Sequence, residues 1–239
     1  GEQVAVEYDN WKGNVEPGEY LLEVSLDRAT TSVPVTVTAN GTAKPKAVLN
    51  AGKMRIAPYY APGQRTESAR IVFTYGDGEQ GTEYGDRTVI LPAGKVEVKV
   101  SQGNGEVSET FDLAAGQEIA KDMVIGLGRV VVRGFYDESQ QIDDSGLRVR
   151  FKKAQKRIDG TREDVGTEYG TETSMDLTPG DYVAEMTMQA ATAEQQFSVK
   201  VGELTEVKVV LNAGVVAIEA PGAASIRIVE AKKDIQGNR

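Results

Sequence analysis

The chain has 239 residues, 27 Lys and Arg against 36 Asp and Glu, a formal charge of −9, and neither histidine nor cysteine. Those two gaps exclude Ser-His and Cys-His nucleophile systems, thiol chemistry, disulfides and the usual zinc ligand sets, and the acidic balance is a poor match for polyanionic nucleic acid. Aromatics make up 6% with a single Trp, so Val, Ile, Leu and Ala must fill any core, a composition that favours strands.

Taken in order, residues 1–52 read as short alternating strands. Val4 to Tyr8 is one; Tyr20, Leu22, Val24 and Leu26 alternate on the next; Val33, Val35 and Val37 form a third; Ala47 to Leu49 end a fourth. Asn40-Gly41 between the last two is a hairpin signal. With Thr42 it is also a glycosylation sequon, which the turn already explains. Trp11 lies in a polar stretch, DNWKGN, and is read as a lid over a sandwich end before it is read as a ligand platform.

Residues 53–128 give Met54-Arg55-Ile56, Ala69 to Tyr75, Val89 to Leu91, Val96 to Val100, Val107 to Leu113 and Ile119 to Ile125 as strands. Turn signals every eight to twelve residues are the pattern of a β-sandwich. Pro58 and Pro62 are expected to confine the first strand to an edge or end it early. Gly76-Asp77-Gly78-Glu79-Gln80-Gly81 fits G-x-G-x-x-G, but a helix N-terminus is needed behind such glycines to hold phosphate, and TEYGDRTVIL follows. A long hairpin loop is expected there.

Residues 129–214 repeat the plan with an insertion that enlarges two loops, 137–146 and 153–164. The acids Asp137, Glu138, Asp143 and Asp144 of the first loop could converge on Ca²⁺, but their spacing misses the EF-hand pattern. The basic run from Lys152 to Arg157 reads as a charged hairpin end that blunts an exposed strand. Residues 215–239 begin a further unit with Val215 to Glu219 and Ser225 to Val229 as strands, and the tail AKKDIQGNR matches AQKRIDGTR of 154–162.

Two markers set the repeat. VLNAG, VIGLG and VLNAG end at Gly52, Gly128 and Gly214, and VEPGEYLLEV, LPAGKVEVKV and LTPGDYVAEM place Gly18, Gly94 and Gly180; both series are spaced by 76 and 86 residues. The word Gly-Thr-Glu-Tyr-Gly occurs at 81–85 and again at 166–170. A period of this length means stacked domains. The expected fold is all-β, a tandem array of small seven-stranded Ig-like or prealbumin-like sandwiches: 1–52 the C-terminal part of one, 53–128 complete, 129–214 complete with enlarged loops, and 215–239 the first two strands of another. Linkers of about three residues, with Gly at positive φ, should make a stiff rod.

Pro17-Gly18-Glu19-Tyr20 and Pro179-Gly180-Asp181-Tyr182 resemble the L-x-P-G-x-Y-x-V-x-V signature of transthyretin-like, carboxypeptidase-regulatory-like sandwiches; Ala93-Gly94-Lys95-Val96 departs at the Pro and the Tyr. The LNAG joints are similar to tandem repeats that follow the von Willebrand factor A domain in some bacterial envelope proteins. The resemblance implies non-catalytic, extracytoplasmic spacers or adhesive modules on a bacterial surface, in the periplasm or secreted, and carries no ligand residues across. No catalytic, cofactor-binding or metal residue is assigned, and neither cofactor nor membrane insertion is expected. The expected partner is another copy, its residues 1–52 taking up residues 215–239 head to tail, or neighbouring repeats of a longer chain. The competing reading is a binding module that grips a protein or glycan with loops 137–146 and 153–164.

Overall fold

A computed structural model describes residues 11–229. The strand expected at Val4 to Tyr8 and the tail 230–239 lie outside the described residues. Among the described residues there is no helix; the strands are β1 (Gly18–Leu26), β2 (Ala29–Val37), β3 (Ala51–Ala61), β4 (Gln64–Arg65), β5 (Arg70–Tyr75), β6 (Glu79–Tyr84), β7 (Arg87–Pro92), β8 (Gly94–Gln102), β9 (Gly105–Leu113), β10 (Glu118–Val124), β11 (Gly128–Phe135), β12 (Arg148–Lys156), β13 (Arg162–Tyr169), β14 (Glu172–Leu177), β15 (Gly180–Met188), β16 (Ala191–Val199) and β17 (Leu204–Val210).

The fold is all-β, with two sandwiches of facing sheets in tandem. In the first, β3 is flanked by β7 and β10, with β4 extending β7's side, and faces the sheet β6-β5-β8-β9. In the second, β14-β11-β17 faces β13-β12-β15-β16. Alternating apolar residues from both sheets meet between them, as the period of two requires. Met54, Ile56, Phe73, Leu91 and Val98 fill one core. Val130, Val132, Phe151, Leu177 and Tyr182 fill the other. The repeated Gly-Thr-Glu-Tyr-Gly has a packing reason: Gly81 stands opposite Phe73 and Gly166 opposite Phe151. A Cβ at Gly81 would run into the Arg28 side chain, and one at Gly166 into Met175.

In each sandwich the last strand pairs parallel to the first, Ile119 beside Met54 and Thr205 beside Val130, which is the same register 76 and 86 residues on. The chain beyond the last strand keeps bonding to the first strand's end. Ile125 and Leu127 donate N–H to the Tyr59 and Tyr60 carbonyls, as Leu211 and Ala213 do to Phe135 and Tyr136.

Several expectations are corrected. Pro58 neither ends β3 nor puts it on an edge: the strand runs on to Ala61 between neighbours, because pairing with β7 stops at Ile56 and Pro58's missing N–H falls in the gap before β4. Residues 76–81 are no long loop. Gly78 N–H closes a tight turn onto the Tyr75 carbonyl, Gly76 and Gly78 are left-handed, and β6 starts at Glu79.

At the joints the left-handed residue stands two positions before the glycine, at Asn50 (φ 47°), Gly126 (78°) and Asn212 (48°). Asn tolerates this region where most side chains do not. Gly52 and Gly128 are needed for close approach instead: a Cβ at Gly52 would sit 2.7 Å from Leu113 and 2.8 Å from the Ala114 carbonyl oxygen, and one at Gly128 would overlap the Lys200 carbonyl. Loop 153–164 is mostly strand, since β12 reaches Lys156 and β13 starts at Arg162.

Residues 47–49, 215–219 and 225–229 form no strand. They alternate correctly but have nothing to pair with: the final strand of a sandwich bonds only to the first, and among the described residues no first strand stands beside 42–49 and no final strand beside 215–219. Antiparallel β1 and β2 form a two-stranded sheet by themselves.

Candidate functional site

The acidic loop does not gather its carboxylates. Asp137 accepts from Ser139 N, Ser139 Oγ and Gln140 N, which hold its carboxyl below the ordinary aspartate range. Glu138 takes the Lys208 ammonium at 2.7 Å, and Asp144 accepts from Gly146 N. Among the described residues no three such ligands converge. In the basic run, Lys152 pairs with Glu185, Lys153 donates to the Tyr182 hydroxyl at 2.7 Å, and Arg157 reaches Glu163 at 3.4 Å. Lys152 and Lys153 are thus used against β15, and Arg157 within the β12–β13 hairpin. The apolar Ile158 at the hairpin tip is wholly exposed. Trp11 is half-exposed, with its ring against Gly13 of its own segment. Asn40 is left-handed in an exposed turn closed by Gly41 N–H on the Thr38 carbonyl.

The built features lie at the joints. The turn between β1 and β2 reaches the next sandwich, where Arg28 N–H donates to the Ile90 carbonyl, Asp27 Oδ2 accepts from Ile90 N at 2.6 Å, and the Arg28 guanidinium pairs with Glu83. The turn between β8 and β9 does the same one unit on: Asn104 N–H donates to the Asp176 carbonyl, and 104 and 176 stand 76 and 86 residues after 28 and 90. Asn104 Oδ1 also accepts from Thr178 N at 2.7 Å. The Asp176 carboxylate collects Gln102 Nε2 and the Arg129 fork. Burial works against its charge, yet the hydrogen bonds from Arg129 and Gln102 hold it below the usual aspartate value. The Tyr60 hydroxyl is buried beside this carboxylate, and burial with the Asp176 charge pushes its pKa up to about 12.

The Pro-Gly-x-Tyr corners are structural. Tyr20 OH donates to the Glu16 carbonyl at 2.7 Å and Tyr182 OH to the Thr178 carbonyl at 2.8 Å. Gly94 and Gly180 take φ of 144° and 146° at this corner.

Among the described residues one apolar face is less fully buried than its repeat counterparts. Val96, Val98, Val100 and Tyr182, Ala184, Met186 are sealed in their cores, whereas their counterparts Tyr20, Leu22 and Val24 on β1 are only partly buried. Beside this hairpin opens a groove of about 400 Å³ lined by Leu26, Val48, Ile90 and Gly116. At the next joint the equivalent place is filled, with Ala61 and Gln64 each 3.3 Å from a Cβ built on Gly202. The segment 215–229 meanwhile exposes Val215 at 80%, Val216 at 70% and Ile228 at 74%.

Sequence reasoning missed the joint contacts. Their signal was positional: Asp27, Gly103 and Gln189 fall on the repeat spacing, but their residue types differ.

No family model and no curated protein matches the sequence. Among solved structures, the chain is similar to the Bacillus anthracis TIE protein (17% identity, TM-score 0.29, 83% of this chain and 42% of that one). It is similar to a streptococcal ancillary pilin (14% identity, TM-score 0.35, 82% and 76%). It is also similar to the shaft pilin spaA from Lactobacillus rhamnosus GG (8% identity, TM-score 0.37, 70% and 99%). The chain thus spans less than half the length of the first of these. At such identities and scores these likenesses assign no function.

Proposed function

We propose that this chain is a non-catalytic structural module, a rod-like segment of a bacterial extracytoplasmic array. In this reading 1–52 is the C-terminal part of a sandwich, 53–128 and 129–214 are complete, and 215–239 supplies the first two strands of another. Residues 215–239 of one copy, taking up strand pairing only there, finish the sandwich begun by 1–52 of the next. The observation that carries it is the pairing of two deficits: the apolar face of β1 and β2, only partly buried where its repeat counterparts are sealed, and an exposed alternating segment, Val215 to Val229, that pairs with no strand among the described residues. Such faces recruit strands. A head-to-tail contact of this kind does not close, so it propagates.

The corner tyrosines, Tyr20 and Tyr182, and the parallel pairing of last strand with first support the transthyretin-like resemblance. Neighbouring repeats of a longer chain would complete the same sandwich by the same pairing. The test is deletion of 215–239 with mass measured in solution. Loss of multimers and an exposed, dye-binding β1–β2 face are expected; unchanged assembly with an intact fold of 1–52 rejects the reading.

A second reading is favoured by one observation, the wholly exposed Ile158 at the tip of the β12–β13 hairpin. An adhesive module would use this tip and loop 137–146 to hold a protein or glycan. Ile158→Ser would then abolish surface binding while leaving assembly untouched.

A further inference from the structure

Three two-residue turns occupy the same place in the repeat: Asp27-Arg28, Gly103-Asn104 and Gln189-Ala190, spaced by 76 and 86 residues. All three begin with a left-handed residue, at φ 53°, 55° and 51°. Two of them are docked, and each makes the same bond, from the N–H of its second residue to the carbonyl of one position on the next sandwich, Ile90 or Asp176. The third is not docked: Gln189 and Ala190 are exposed, and among the described residues neither makes a backbone bond outside its own hairpin. Its shape is that of the docked turns although Gln, unlike Gly, is disfavoured at positive φ.

We infer that the Gln189-Ala190 turn is a docking end for residues 11–16 of a second copy, with the Ala190 N–H donating to the Asn14 carbonyl. Asn14 is the position 76 residues before Ile90. The occupant follows from continuity with the two joints already formed, whose sockets are one position on the strand just before the glycine corner of the next sandwich, Ile90 on β7 and Asp176 on β14. Gln189 takes the place of Asp27, whose carboxylate accepts from Ile90 N, so the Gln189 Oε1 is set to accept from Asn14 N. This inference rests on the head-to-tail order of copies proposed above, not on the donated strand itself, and adds a second contact made by a different part of the chain. One contact fills the open sandwich; the other fixes the angle at which the filled sandwich sits on its neighbour.

The chain lacks cysteine, so introduced pairs report cleanly. Residues joined by such a backbone bond lie within the Cα separation of about 4.4–6.8 Å that a disulfide spans. The full chain carrying Ala190→Cys and Asn14→Cys is oxidised and run without reductant, beside Arg28→Cys with Ile90→Cys as an intrachain control for the same geometry. Ala43→Cys with Val216→Cys reports strand donation, because Ala43 and Val216 are the repeat counterparts of the paired Ile119–Met54 and Thr205–Val130. The expected result is a ladder of reducible multimers from both intermolecular pairs, with single-cysteine variants giving dimers at most. A ladder from 43/216 alone overturns the docking inference and leaves strand donation standing. A ladder from 190/14 alone keeps the docking and rejects strand donation. No ladder from either overturns both.

Discussion

Asn104 donates its backbone N–H to the carbonyl oxygen of Asp176, and the pair lies in different sandwiches. Around that bond the joint is polar: Gln102 and Arg129 hold the Asp176 carboxylate, and Asn104 holds Thr178. Polar joints of this kind set an angle through directional bonds, which a greasy contact would leave loose.

The Asp176 carboxyl titrates below its ordinary value in the fold. The sign follows from linkage: the ordering it contributes is present above the unfolded aspartate pKa, about 3.9, and is lost as pH falls through the lower folded value. Interdomain alignment, measured by residual dipolar couplings, should therefore loosen in strong acid while both cores persist. Asp176→Asn should show the loosened state at neutral pH and no further change on acidification.

Tyr182 is both a corner and a joint residue. Its hydroxyl donates to the Thr178 carbonyl and receives Lys153 at 2.7 Å, with Asn104 Nδ2 at 3.4 Å across the joint. Burial opposes its ionisation, but Lys153 and the other hydrogen bonds draw its pKa below the usual tyrosine value. Tyr182→Phe should cost about 1–3 kcal/mol, because buried partners are left unpaired. Thermal unfolding of 129–214 reads it. The same change at Tyr20 should cost less, since its bond to Glu16 is exposed.

The strands of both cores were legible because β-branched residues alternate on one face, as at Val96, Val98 and Val100. The outer strands β6 and β13 were harder to read, since Gly-Thr-Glu-Tyr carries little apolar signal, and the two-residue β4 carries none. At 47–49, 215–219 and 225–229 the alternation is as clear as elsewhere, yet no strand forms there. Alternation says which face is apolar, whereas a strand also needs a neighbour for its N–H and C=O groups. The joint site was invisible for another reason. Its repeated element is a backbone bond, so Arg28 and Asn104 need not resemble each other, and only the spacing of 76 links them.

Divalent ions should not matter to stability. The Asp137 oxygen is engaged by Ser139 and Gln140, and Glu138 is engaged by Lys208. Calorimetry with and without chelator should give coincident transitions; a fall of many degrees on chelation would mean that Asp137, Asp143 and Asp144 hold Ca²⁺.

Three glycines on one repeat position separate what is packed from what waits for a partner. A Cβ at Gly52 meets Leu113 and the Ala114 carbonyl, and one at Gly128 meets Val199 and the Lys200 carbonyl, both partly backbone obstacles that cannot swing aside. Gly52→Ala and Gly128→Ala should therefore destabilise their sandwiches by about 1–3 kcal/mol, as overpacking does. For domains of this size that is a fall in Tm of roughly 4–8 °C per kcal/mol. Gly214 has nothing within 4 Å and no positive φ, so Gly214→Ala should leave the unfolding of the isolated chain unchanged. In a donated strand the counterparts of Leu113 and Ala114 are Val37 and Thr38 of the next copy, 76 residues earlier, and the added methyl would meet them there. The expected outcome is a variant as stable as the parent that assembles poorly in sedimentation at matched concentration. Equal assembly of the two would show that Gly214 does not enter a sandwich built with residues 1–52 of another copy.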